Sequence, residues 1–294
     1  MLADGRIFGG GATIMLGNLA FLSDKSVYFA LIVTMLVALC AGLLGVILVL
    51  KRYSMIGDGL SHVAFGAYAI AIVTSLANNM LITVPVTIVV AILLLRIKSD
   101  GKIKGETLIA MLSSGALALG YMILNLSGSN NVSGDVCTSL FGGVTILCLT
   151  VKDIIISCVL AAIVIVFFTL YYHRIFAVTF DETFAKATGL KAELYKIFLA
   201  VVIAIVIVLS MQLVGALLIS ALIVFPALTS MRMVKSFRGV VILSAGVSVV
   251  SAVTGLLLAC IFDSPIGSTI VVVNIALFLI VYAVTSVIKV AVKR

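Results

Sequence analysis

This sequence is poor in charge. Of its 294 residues only 10% are Asp, Glu, Lys or Arg, while 64% are hydrophobic and the mean hydropathy is +1.39. A soluble domain carries about 25% charged residues, and a fold of this size could not cover its surface with so few. A soluble enzyme, a disordered chain and a disulfide-built secreted domain are therefore excluded. Histidine occurs twice, at His62 and His173. There is no HExxH and no Ser-His-Asp set, which argues against a hydrolase working inside the membrane. No Gly-Lys-Ser/Thr exists either, so Gly9-Gly10-Gly11 is not a phosphate loop. The five cysteines include no CxxC, which removes a structural zinc site of the usual spacing. Cys40, Cys158 and Cys260 lie in apolar runs as small hydrophobes; Cys137 and Cys148 are the two that an outer loop could pair. Met1–Leu22 lacks the basic start and small-residue cleavage site of a signal peptide.

What the chain has is long apolar runs from end to end, the mark of an all-α polytopic membrane protein. A transmembrane β-barrel would alternate in short strands instead. The expected spans begin with Val27–Leu50, Gly57–Leu76, Leu81–Leu95, Thr107–Leu126 and Asp153–Tyr172. The polar stretch Ser127–Asp135 reads as a loop. Ile197–Met231 carries no charge, and as one helix it would measure about 52 Å against about 30 Å of hydrocarbon. It is therefore expected to fold back near Gln212–Gly215 as two spans. Gly239–Phe262 and Gly267–Ile288 complete a set of about nine, with Ile7–Leu22 as an interfacial helix or a tenth.

A formal net charge of +8 invites a nucleic-acid reading, but position decides against it. With the C-terminus in the cytoplasm, every Lys and Arg except Arg6, Lys25 and Lys152 falls in connectors on the inner side. That bias is the positive-inside rule. The partner it implies is the membrane, with no nucleic acid.

An ionisable group inside a span costs about 2.5–3.5 kcal/mol on insertion scales. Asp58 and His62, in GDGLSHVAFG near the inner end of the second span, are four apart and share a helix face. A carboxylate oxygen and an imidazole nitrogen at that spacing suit a divalent ion such as Zn, Mn or Fe. The plain alternative is an interfacial ion pair close to Lys51 and Arg52. His173, beside Arg174 at a span end, reads as a headgroup-level histidine. Asp263, just before Ser264-Pro265, reads as a turn or cap aspartate, with a place at the outer mouth of a pathway as the functional alternative.

Nothing in the chain drives transport by itself. It conducts passively, uses an ion gradient, or borrows ATP hydrolysis from a partner. The most charged segment, His173–Lys196, holds a short helix expected from Thr179 as cap, through Asp181 and Glu182 in its first turn, to Gly189 as stop. Phe180 and Phe184, four apart, are expected to face one way. Such a stripe either packs back on the bundle or docks in a partner's groove. A stand-alone secondary transporter would carry more ionisable groups along its path than Asp58 and His62.

Four blocks resemble the permease subunits of bacterial zinc and manganese ABC importers, the ABC-3 metal-permease family. They are Lys51–Gly66 (KRYSMIGDGLSHVAFG), Phe180–Leu190 (FDETFAKATGL), Gln212–Arg232 (QLVGALLISALIVFPALTSMR) and Phe262–Val271 (FDSPIGSTIV). The similarity spans roughly residues 27–288. It implies a fold like that of the vitamin-B12 and iron-siderophore (type II) importers, in a single permease domain over 27–294. It also implies a second permease copy, cytoplasmic ATPase subunits that use the ATP, and an extracellular metal-binding protein. On this resemblance Asp58 and His62 become ligands of the passing metal. The coupling segment at about 173–196, with Phe180, Asp181, Glu182, Phe184 and Gly189, becomes the contact with the ATPase. No permanent cofactor is implied; the metal is cargo, with zinc favoured over manganese. Residues 1–26 form an N-terminal extracellular or interfacial segment longer than the resemblance leads one to expect.

Overall fold

The structure is a computed structural model. It describes residues 25–51, 53–74, 79–96, 105–127 and 149–292. The expected loop beyond Ser127, Cys137, Cys148 and most of the N-terminal segment lie outside the described residues. Everything described is helix and short connection. In chain order the helices are α1 (Lys25–Leu50), α2 (Ile56–Val73), α3 (Met80–Arg96), α4 (Gly105–Leu126), α5 (Val151–Phe180), α6 (Glu182–Ala187), α7 (Ala192–Val214), α8 (Ala216–Met233), α9 (Phe237–Phe262) and α10 (Ile266–Val292). Among them eight are long and apolar enough to cross a membrane, and Met80–Leu95 is a shorter apolar helix. The expected nine spans are these eight and the short one.

Lipid tails are as apolar as leucine, so packing and interhelical hydrogen bonds, not water exclusion, hold such helices together. The centre is α1, against which α5, α7, α8 and α9 all pack. Its small residues let neighbours in close. A Cβ at Gly45 would stand 2.0 Å from the Ile223 carbonyl oxygen, so α8 touches the backbone of α1 directly. On the α9 side, Ser244 Oγ donates to the Gly42 carbonyl at 2.8 Å and Ser248 Oγ to the Ala38 carbonyl at 2.7 Å. The α2–α4 crossing uses the same device, with a Cβ on Gly120 falling 3.0 Å from the Gly66 Cα.

The uncharged run Ile197–Met231 breaks where expected. Gly215 has φ 95° and ψ 151°, a conformation essentially reserved for glycine. It ends α7 and starts α8.

The fifth span runs on further than its composition suggests. The expected end at Tyr172 is corrected to Phe180, because His173 and Arg174 mark a change of solvent and not the end of the helix. Ile175 and Val178 stay buried along the extension, and Val178 packs with Ala185 and Ala192. The other end of α5 is fixed by a capping box in which Thr150 N donates to Asp153 Oδ2 at 2.8 Å. Three arginines at the basic end lie over tyrosine rings: Arg174 over Tyr171 and Tyr195, Arg232 over Tyr282 at 4.2 Å, and Arg238 over Tyr172 at 5.1 Å. Such cation–π pairs suit a belt where apolar and wet surroundings meet.

Candidate functional site

Asp58 sits in the first turn of α2, where the helix dipole favours a carboxylate. His62 follows one turn on, with Nε2 3.4 Å from Asp58 Oδ1. The two side chains share a face, as the spacing requires, but differ in exposure: Asp58 is 49% exposed and His62 only 17%. His62 Nδ1 is buried and has no hydrogen-bond partner among the described residues. The helix is fixed on two sides. Gly57 packs on Ile223 of α8, and Gly59 on Ile109 of α4. Ser220 of α8 lies beside this turn, its Cα 3.9 Å from where a Cβ on Gly57 would stand, and its hydroxyl donates to the Ala216 carbonyl at 3.2 Å. About 20 Å of helix separates Ser220 from Met233, so the pair lies inward of the basic end and not level with it. Ser61 keeps its hydroxyl inside the helix, donating to the Gly57 carbonyl at 2.7 Å. Arg52 lies outside the described residues, and the ion-pair partner seen for Asp58 is His62.

The exposed side of Asp58 opens into a cleft of about 320 Å³ between α2 and α4, with Ser54, Ser113 and Ser114 on its walls. These serines were not readable as site residues. A serine in an apolar span satisfies itself through the preceding turn, as Ser114 does on the Ala110 carbonyl. Only the proximity of α4 to α2 turns the Ser113-Ser114 pair into a polar wall. Among the described residues no three His, Cys, Asp or Glu come together. One chain thus offers an ion one carboxylate and one imidazole.

The second region is the junction of α5, α6 and α7. The helix that Thr179 was expected to cap starts two residues later: Thr179 is inside α5, and Asp181 is the cap, its Oδ1 accepting from Phe184 N at 2.9 Å and from the Thr183 hydroxyl. Those two donors hold the Asp181 carboxyl below the usual carboxylate range. Gly189, at φ 81°, ends α6 in a Schellman arrangement in which Leu190 N reaches the Ala185 carbonyl and Gly189 N the Lys186 carbonyl. Ala185 packs inward, and Lys186 pairs with Glu193 of α7 at 3.2 Å. The side chain of Glu182 lies outside the described residues.

The expectation that Phe180 and Phe184 form one stripe is corrected, because extended backbone at Asp181 separates them into two helices. Phe180 stacks on Phe176 at 4.7 Å and Phe237 at 5.8 Å. Phe184 projects from α6 with 63% of its surface exposed. Asp263 is the C-cap of α9 in left-handed conformation, φ 49°, the one non-glycine positive φ among the described residues. It is exposed, in keeping with the turn reading.

The sequence profile described as the ABC 3 transport family matches residues 23–285. The chain is 29% identical over 251 residues to the manganese import system permease protein ScaB of Streptococcus gordonii, covering 85% of this chain and 88% of that one. It is 27% identical over 251 residues to the high-affinity zinc uptake system membrane protein ZnuB of Haemophilus influenzae, covering 85% and 94%. In three dimensions it resembles a chain of PsaBC from Streptococcus pneumoniae in complex with Fab. The TM-score is 0.79 at 29% identity, over 91% of this chain and 95% of that one. A transporter described as of the metal-chelate ABC type shares the fold at a TM-score of 0.67 and 15% identity.

Proposed function

The chain belongs to the ABC 3 transport family, and from that membership we propose that it is the permease of an importer whose cargo is a divalent ion of the zinc–manganese class. It is a multi-pass membrane subunit without catalytic residues of its own, the ATPase being a separate chain. The observation that carries the cargo is the Asp58–His62 pair, 3.4 Å apart and open to a hydroxyl-lined cleft. Oxygen and nitrogen donors together suit first-row divalent ions.

Two donors are half of what such an ion takes, since tetrahedral zinc needs four. In a two-fold dimer the pair meets its symmetry mate across the pathway, giving two carboxylates and two imidazoles. A transit site of this kind is weak by design, because an ion held too well does not leave. Zinc is the first reading, from the imidazole. Manganese is the second, and it is favoured by the relatives named for manganese import. ATP binding and hydrolysis in cytoplasmic partners act through α6, whose exposed Phe184 is the anchor. An extracellular metal-binding protein delivers the ion on the opposite side, where Asp263 stands at the mouth. The C-terminus is cytoplasmic.

The test is uptake of radioactive zinc and of manganese, each alone, into vesicles containing the purified permease, its ATPase and its binding protein. Asp58→Asn and His62→Leu should each lower uptake at least tenfold while ATP hydrolysis persists. Wild-type uptake by both variants would overturn the assignment and leave the pair a structural contact.

A further inference from the structure

Away from the elements that line the Asp58 cleft, α5 and α9 both pack on α1 and leave a cleft of about 440 Å³ between them. This is the size of a small-molecule site, roughly 300–1,000 Å³. Its two ends differ in chemistry. Ile165 and Phe168 of α5 and Ile242 of α9 make an apolar wall, and the side chains of Ile165 and Ile242 are exposed. Tyr172, His173 and Arg238 form the other end, beneath which Phe237 closes the gap by stacking on Tyr172 at 5.5 Å and Phe176 at 5.2 Å. From Ile165 to His173 the lining rises about 12 Å along α5.

The polar end is cationic and lacks a counter-charge. Arg238 lies over the Tyr172 ring and makes no ion pair among the described residues. Its guanidinium therefore keeps donors free for an anion with planar, forked oxygens, which is how arginine recognises phosphate. No carboxylate lines the cleft, so an ammonium headgroup finds no partner there. A free phosphate ion would leave the apolar wall uncovered, whereas a lipid fills both ends.

We propose that this cleft binds an anionic phospholipid, its phosphate on Arg238 and His173 and one acyl chain along Ile165, Phe168 and Ile242. Basic pockets between membrane helices are where such headgroups bind. The site does not depend on which ion the protein carries.

The experiment uses the full chain in nanodiscs of equal parts phosphatidylglycerol and phosphatidylcholine. Lipid retained after gentle transfer to detergent is counted by mass spectrometry. The wild-type chain should retain phosphatidylglycerol at least fivefold over phosphatidylcholine. Arg238→Gln should bring that ratio below twofold, and Arg238→Lys should restore part of it. A photo-crosslinker placed at Ile242 should give an adduct of lipid mass. Equal retention of the two lipids by the wild type, or an unchanged preference in Arg238→Gln together with His173→Gln, would overturn the proposal. So would an Ile242 adduct with a second protein chain, which would make the cleft an interface.

Discussion

Ser248 of α9 donates a 2.7 Å hydrogen bond to the carbonyl of Ala38 in α1, joining positions 210 apart in the chain. The carbonyl is already the acceptor of its own helix, so the serine reaches an oxygen that stays accessible because both helices present small residues at the crossing. Interhelical hydrogen bonds of this kind contribute about 0.6 kcal/mol on average in membranes, at most about 1.7. Ser248→Ala should lower stability by about 1 kcal/mol and leave transport intact, measured as thermal unfolding in detergent.

Gly45 is a harsher test of the same packing. A methyl there meets the Ile223 carbonyl oxygen at 2.0 Å, and backbone cannot yield as a side chain can. Gly45→Ala should cost about 3 kcal/mol, the upper end of overpacking penalties. The checks are the yield of folded protein and its unfolding temperature, where a loss below 1 kcal/mol would contradict the close approach of α1 and α8.

The two phenylalanines near α6 should separate in their effects. Both rings are exposed, Phe180 by 58% and Phe184 by 63%, but Phe180 is also stacked on Phe176 and Phe237. Phe184→Ala should leave the stability within about 0.5 kcal/mol of wild type, as surface changes do. It should also weaken ATPase binding by an anchor's worth, about 2 kcal/mol or thirtyfold. Phe180→Ala should lower both. Co-purification with the ATPase and thermal unfolding, measured together, decide it.

Asp181 supplies the pH dependence. Its carboxyl is held below the usual carboxylate range by the Phe184 amide and the Thr183 hydroxyl, so its contribution is present above about pH 3.9, the ordinary value, and is lost as pH falls through the lowered folded value. Exchange protection of the Phe184 amide, corrected for the intrinsic rate, should be flat from pH 7 to 5. Asp181→Ala should lose it severalfold at every pH. Asp181→Asn should keep it without the acid dependence, since asparagine caps as well as aspartate.

The helices were legible because each apolar run is longer than a soluble helix needs, and Asp58–His62 because two ionisable groups stand alone in one. The break at Gly215 followed from length alone. The end of α5 was not legible: charges at His173 and Arg174 report the edge of the hydrocarbon, while the helix is held past it by Val178 on Ala185 and Ala192. The cap of α6 was misplaced by two residues because threonine and aspartate are both good caps, and only the bond to Phe184 N chooses between them. Ser113 and Ser114 carry no signal in sequence; the path of α4 beside Asp58 puts them on the wall of its cleft.

The length of α5 has mechanical meaning. From Val151 to Phe180 it contains neither glycine nor proline, the residues at which helices bend, so it tilts as one rod about 45 Å long. Leu160, Ala161, Val164, Phe168 and Ile175 hold it in the central core, and Val178 fastens its end to Ala185 of α6 and Ala192 of α7. A displacement of α6 is therefore expected to be carried into the bundle by α5 and not absorbed in the helix.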